Sequence, residues 1–259
     1  MPGIVAGKRF LITGVITDAS IAFHVAALAQ REGARVVLTG HGRIGLVERI
    51  ARRLPEPAPV IELDVADTRH LDSLTDRVGE HLDGPLDGLL HSIAYAPPTA
   101  LGGNFLTTPW EDVATTLRVS AHSLHALTTT LLPVFAPSVS VVALDFDAGK
   151  ASPGYDWMGV AKTTLESCAR YLAASLGSRG VRVNLVAAGP LNTMASRAIP
   201  GFDGLGTWWE DRAPLGWSTK DHASVARACV ALMSDWLPAT TGEIVHADGG
   251  AHVVAQAIG

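Results

Sequence analysis

The sequence predicts a doubly wound α/β fold, a parallel sheet with helices on both faces. Three observations carry this. Short apolar runs alternate with helical patterns along all 259 residues. Several of those runs are apolar on both faces, as expected of strands covered on each side rather than facing water. Thr13-Gly14, Gly40, Asp64-Val65, Ser92-Ile93, Asp145-Phe146 and Ala188-Gly189-Pro190 each close such a run. They fall at the carboxyl ends of strands, where sheets of this kind hold their ligands.

Residues 8–14 form the first strand, stopped by Gly14, and Ser20 precedes a helix with Ile21, Val25, Leu28 and Ala29 on one face, closed near Gly33. A second strand spans 35–40, and an amphipathic helix over 44–54 runs into Pro55, Pro57 and Pro59. The third strand is 60–65 and is followed by a helix over 68–82. A fourth strand, 86–93, enters a loop rich in proline and glycine. Thr108-Pro109-Trp110-Glu111 reads as a helix start, with Thr108 as cap, Pro109 at the first helical position and Glu111 at the third. That helix continues towards Leu132, and the fifth strand covers 139–144. A long helix follows from Tyr155, then strands over 181–186 and 243–246. With no internal repeat and no linker, residues 1–259 are expected to form a single domain.

Composition narrows the function classes. Hydrophobic residues make up 47% and charged ones 17%, which excludes disorder. No apolar run approaches the roughly 18 residues needed to span a bilayer, and the first nine residues lack a signal-peptide pattern. The net charge of −5 without a basic cluster argues against nucleic acid and anionic membranes as partners. Cys168 and Cys229 lie in helical patterns and read as reduced core thiols of a cytoplasmic protein. The ten histidines show no metal spacing, so no metal is expected. His24 reads as packed and His91 as part of a strand end.

The stretch from Asp145 to Lys162 leaves a strand, crosses a loop punctuated by Gly149, Pro153 and Gly154, and enters the long helix. Tyr155 and Lys162 are seven positions apart (162 − 155), two helical turns, so they share a face. A phenol and an ammonium together suit a reaction in which an oxyanion develops and needs a donor and a nearby cation. At the first strand–helix junction only Gly14 of the usual three phosphate-loop glycines is present; Ser20 is expected to offer its hydroxyl and N–H instead.

Gly14-x5-Ser20-Ile21-Ala22, Leu63-Asp64-Val65, His91-Ser92-Ile93-Ala94, Tyr155-x6-Lys162 and Val186-Ala187-Ala188-Gly189-Pro190 together resemble the short-chain dehydrogenase/reductase superfamily, whose sheet is Rossmann-like. Within it the chain is most similar to the enoyl-[acyl-carrier-protein] reductases of type II fatty-acid synthesis, over essentially its whole length. Ketone-reducing members place Tyr and Lys four apart; the seven-residue spacing and Phe146 nine residues before Tyr155 fit the enoyl reductases. Asp145-Phe146-Asp147, Tyr155-Asp156-Trp157-Met158, Arg212-Ala213-Pro214-Leu215-Gly216-Trp217 and Leu237-Pro238-Ala239-Thr240-Thr241-Gly242 look like landmarks of the branch acting on long acyl chains.

The resemblance implies an NADH-dependent reductase of a trans-2-enoyl thioester, carried on acyl-carrier protein or CoA. Tyr155 would bond the enolate, Lys162 the nicotinamide-ribose hydroxyls, and Phe146 would form an apolar wall. Gly14, Ser20, Ile21, His41, Asp64, Val65, Ser92, Ile93, Ala94, Ala188, Gly189, Pro190 and Thr193 would surround the cofactor, with Thr193 on the pyrophosphate and Asp64 and Val65 edging the adenine. Tyr95, Tyr155, Met158, Met194, Ile199 and Trp208 would line the acyl site. Relatives are homotetramers, and the resemblance implies a homotetramer here, with a dimer as the alternative. Residues 194–208 form an unusually short substrate lid, with Met194, Ile199, Phe202 and Trp208 as its apolar face.

Two departures stand out. Gly40-His41-Gly42-Arg43 has no acid to select NAD over its 2′-phosphorylated form, so NADPH is admitted as a second donor. Tyr95-Ala96 stands where relatives carry larger apolar residues. A carbonyl reductase of the same superfamily and a dinucleotide-sensing protein without turnover are the alternative readings.

Overall fold

The computed structural model describes residues 2–199 and 201–255. Among the described residues seven strands form one sheet: β1 (Arg9–Ile12), β2 (Arg35–Gly40), β3 (Val60–Glu62), β4 (Leu86–His91), β5 (Phe135–Asp145), β6 (Val181–Ala188) and β7 (Ile244–Ala247). The order is β3-β2-β1-β4-β5-β6-β7, and every pairing is parallel. The chain reverses its direction of travel between β1 and β4, the switch point at which strand ends open a crevice.

The helices are α1 (Ile21–Arg31), α2 (Ile44–Ala51), α3 (Thr68–Asp72), α4 (Leu74–Gly79), α5 (Trp110–Leu117), α6 (Ser123–Leu131), α7 (Asp156–Leu176), α8 (Phe202–Arg212) and α9 (Ala223–Met233). Period-two alternation sorts the strand residues between two cores. Phe10, Ile12, Val36 and Leu38 pack with α1, α2 and α9 on one face. Leu11, Val37, Val141 and Val183 pack with α4, α6 and α7 on the other. A strand apolar at every position is what this double burial requires.

The structure differs from the sequence expectations along two helices, and β5 begins at Phe135 rather than at 139. The helix expected over 68–82 breaks at Ser73, whose hydroxyl donates to the carbonyls of Arg69 and His70 and so competes with the next turn. At the start of α5 the cap residue is Pro109, one position later than expected. Thr108 does not cap: its hydroxyl donates to the carbonyls of Thr99 and Asn104, both at 2.9 Å. A π-helical stretch, Arg118–His122, joins α5 to α6. Residues 194–208 hold one 3-10 turn (Ser196–Ala198) and the first part of α8. Among the described residues no helix is long and apolar enough to cross a membrane.

Candidate active site

The end of β5 gathers the residues singled out in the sequence. Tyr155 is the N-cap of α7, and its ring meets that of Phe146 edge-on, with centroids 5.4 Å apart. Lys162, two turns along α7, turns back to donate from Nζ to the Leu144 carbonyl at 2.8 Å. One strand end therefore receives both side chains, as their spacing requires. No hydrogen bond engages the Tyr155 hydroxyl among the described residues, which leaves a phenol free to donate. Burial, and secondarily the Asp145 charge, raise the affinity of that phenol for its proton. Burial pushes Lys162 the other way, opposed by Asp145.

Several groups beside them are not readable from sequence spacing. His91 is fully buried and pairs through Nε2 with Ser123 Oγ at 2.7 Å; burial and then Lys162 hold it down at about 3, so it stays neutral. Ser120, in the π-helical stretch, accepts from the Tyr95 N–H at 2.9 Å and donates to the Tyr95 carbonyl at 2.8 Å. The π-helical stretch and the α6 start it leads into thus present two serines that clasp β4 and its exit loop, a use of π-bulges that recurs at functional sites. Thr13 links the neighbouring strand ends: its hydroxyl donates to Leu90 O at 2.9 Å and accepts from the Ser92 N–H at 3.0 Å.

On the β1 side, Gly14 has φ +82, and a Cβ there would lie 1.8 Å from the Ser92 carbonyl oxygen. Only glycine fits. Ser20 behaves differently from expectation. Its hydroxyl oxygen accepts the N–H groups of Ile16 and Thr17, both at 3.0 Å, and its own N–H donates to the Thr17 carbonyl. Its backbone donor is thus taken by the turn. The N–H groups of Ile21 and Ala22, at the start of α1, are the orphan donors. His41 and Arg43 are exposed beyond β2. The Asp64 carboxylate accepts from the Ala66 N–H at 2.8 Å, while the Val65 side chain is buried in a core, so only its backbone is offered. Ile93 is half-buried and Ala94 exposed after β4. Gly189, between buried Ala188 and Pro190, donates its N–H to Ala247 O. Thr193 exchanges hydrogen bonds with Ser196, and among the described residues nothing accepts its hydroxyl proton.

The substrate-side residues divide. Met158 is buried with Leu101 and Ala161 against Tyr155. Tyr95 and Met194 are about half-exposed, at 53% and 50%, and Ile199 is half-buried. Of the tryptophan pair, the expected lid residue Trp208 points outward with Arg212 stacked on it at 4.6 Å. Its neighbour Trp209 faces in: it is buried, packs on Phe146 at 5.6 Å and donates from Nε1 to Asp248 O at 2.9 Å. Helical phase decides this, because Phe202 and Trp209 are seven apart on α8 and share its buried face. Trp217, bonded to Pro190 O at 2.8 Å, closes over Gly189, where a Cβ would meet its ring at 2.7 Å.

This arrangement matches known sequences over almost its full length. A family model described as enoyl-(acyl carrier protein) reductase fits residues 14–252. An enoyl-[acyl-carrier-protein] reductase [NADH] of Mycolicibacterium smegmatis is 48% identical over 97% of this chain and 98% of its own. The protein of the same name from Mycobacterium avium is 49% identical with the same coverage. One from Aquifex aeolicus is 36% identical over 97% of this chain and 94% of its own.

Proposed function

The chain belongs to the enoyl-[acyl-carrier-protein] reductase family, and from that membership we propose that it reduces the C2=C3 bond of a trans-2-enoyl thioester in fatty-acid biosynthesis, with NADH as donor and acyl-carrier protein as the carrier. One observation supports this above the others: a free Tyr155 phenol and a buried Lys162 meet at the Phe146 strand end. We read the whole chain as one reductase domain with a short lid over 194–208. The exposed Trp110, Val160 and Tyr171 on α5 and α7 support a homotetramer packed through those helices. A cytoplasmic location goes with such a pathway.

The residues present fit a dinucleotide. Gly14, held against the Ser92 carbonyl in a left-handed turn, brings the loop to the β1–β4 crevice, and orphan N–H groups at the start of α1 favour negative charge there. Gly14, Ile21 and Thr193 would hold the pyrophosphate, with Ser20 shaping the turn from behind. Asp64 and the Val65 backbone would border the adenine beside His41. Ser92, Ile93, Ala94, Ala188, Gly189 and Pro190 would surround the nicotinamide, and Lys162 its ribose. In that place bound NADH would supply the hydride for C3, with a proton taken up at C2 completing the reduction.

Charge then collects on the thioester oxygen, and the Tyr155 hydroxyl donates to it. Because burial and Asp145 keep the phenol protonated, Tyr155 acts as a neutral donor. Lys162 adds positive potential from the same side. Phe146, backed by Trp209, excludes water from the reacting atoms, which strengthens both interactions. Tyr95, Met158, Met194 and Ile199 would contact the acyl chain, with Trp208 at the rim.

The assay is direct. Purified protein with NADH and a series of trans-2-enoyl thioesters is expected to consume NADH, and with a 3-ketoacyl thioester it is expected not to. Each methylene buried adds about 0.8 kcal/mol, roughly fourfold in efficiency. The short lid predicts that this gain stops at short or medium chains; a climb that persists into the longest substrates would sink the lid's part in specificity. Reduction of the keto substrate alone would replace the enoyl reading.

Cofactor choice offers another test. Gly42 has φ +73 and open space where a Cβ would sit, and Asp tolerates that backbone region. Gly42→Asp is expected to leave NADH use within about twofold and to lower NADPH use about tenfold, since a carboxylate there repels a 2′-phosphate. An unchanged ratio of catalytic efficiencies would remove residues 41–43 from the adenine ribose.

A further inference from the structure

Asp145 ends β5, and its side chain has no exposed surface. Among the described residues neither carboxylate oxygen makes a well-formed hydrogen bond, and besides Lys162 only the adjacent Phe146 N–H favours the charge. Leaving a buried carboxylate in that condition is costly, and native proteins seldom do so without a use. The nearest cation is Lys162, itself only 7% exposed. Its Nζ stands 4.0 Å from Asp145 Oδ1, outside hydrogen-bond reach, because it is bonded to the Leu144 carbonyl at 2.8 Å. The two charges attract without clasping, and the ammonium keeps N–H groups for something else.

We propose that Asp145 is a positioning residue that acts on the reduction through Lys162: fixed behind the strand end, it is the negative charge that holds Lys162 as an ammonium while leaving its donors free, and that holds Tyr155 as a phenol. The proposal rests on the enoyl-reductase reading and adds to it a residue that reaches neither substrate nor cofactor.

The titratable groups around the pair are consistent with this division. From β4, His91 is kept neutral by burial and supplies no counter-charge. From α7, Glu166, and from the loop after β5, Asp147, both raise the proton affinity of Asp145, while Lys162 lowers it. Burial outweighs these and pushes Asp145 up to about 7. For Lys162, burial favours loss of the proton and Asp145 opposes it. The signs agree. Asp145 is ionised above neutrality, the range in which a desolvated ammonium would otherwise discharge. Removing the carboxylate should let Lys162 lose its proton at lower pH.

NADH affinity measured by fluorescence between about pH 6 and about pH 10 tests this, spanning the ordinary carboxylate-to-lysine interval. Asp145→Asn keeps the size of the side chain and has no charge at any pH. Wild-type affinity is expected to fall on the alkaline side; in Asp145→Asn the fall should begin at least about one pH unit lower, a tenfold shift in proton affinity. Asp145→Glu should return the break towards wild type. Coincident wild-type and Asn profiles overturn the proposal. If Asp145→Asn does not fold, carboxyl and lysine Cε resonances of isotopically labelled wild-type protein carry the test. The Lys162 resonance must respond as Asp145 titrates, and its indifference overturns the proposal. Wild-type protein that fails to reduce enoyl thioesters overturns the parent reading and this role together, whereas turnover with coincident profiles overturns this role alone.

Discussion

Tyr155→Phe is expected to lower kcat about 10²–10³-fold while leaving NADH affinity within about twofold. The substitution removes one oxygen and keeps the ring, so the edge-on contact with Phe146 and the start of α7 are retained. Only the donor to the developing enolate is lost, a group whose removal from such sites costs about 2.7–4 kcal/mol of transition-state stabilisation. KM for the enoyl thioester should change little, because that oxygen carries full charge only in the transition state. Lys162→Ala provides the contrast: its lost bonds would go to the ribose, so NADH affinity should fall first. Steady-state kinetics with calorimetric NADH titration separate the two. A Tyr155→Phe enzyme that keeps more than about a tenth of wild-type kcat would take the phenol out of the chemical step.

Gly14→Ala should be the most damaging single methyl group near the site. The added Cβ would stand 1.8 Å from the Ser92 carbonyl oxygen, and both partners are backbone, so no side-chain rotation relieves the overlap. The residue would also have to hold φ +82, a strain of about 1–3 kcal/mol by itself. We expect a total loss above about 3 kcal/mol, or about 6–12 °C in Tm for a domain of this size. Because relief means prising β1 from the end of β4, NADH should no longer stabilise what remains folded. Thermal melts with and without NADH check both parts. A variant melting within a degree or two of wild type, with its NADH shift intact, would contradict the close approach of Gly14 to Ser92.

Much of this molecule is local in origin and therefore legible in its sequence. The strands are apolar runs stopped by glycine or by polar pairs, and the residues at their ends converge because the sheet is parallel throughout. Tyr155 and Lys162 meet at one strand end because helical period is a local property. What could not be read is set by the exact geometry of turns and helix ends, and at Asp145 by contacts between distant segments. Ser73 breaks a helix by choosing carbonyls over solvent, and Thr108 bonds residues 99 and 104 rather than capping α5. Which of Trp208 and Trp209 faces inward depends on where α8 begins. Ser20 lost its expected free N–H to a turn carbonyl three residues back, a detail of loop geometry with no compositional trace. The isolation of Asp145 is invisible until β5, α7 and the β4 end are assembled.

The strand order has a consequence for how the chain reaches this structure. Within an all-parallel sheet no strand pairs with the next through a tight hairpin, so each pairing closes a long loop and folding is slow for the chain's size. The arrangement compensates in one respect. The first four strands to leave the ribosome complete one side of the sheet, in the order β3-β2-β1-β4, and β5, β6 and β7 are then laid on in sequence at the opposite side. Each newcomer finds a paired neighbour already in place. On that growing side a nascent chain presents a single row of unpaired amides at any moment, which limits its exposure to the wrong partner during synthesis.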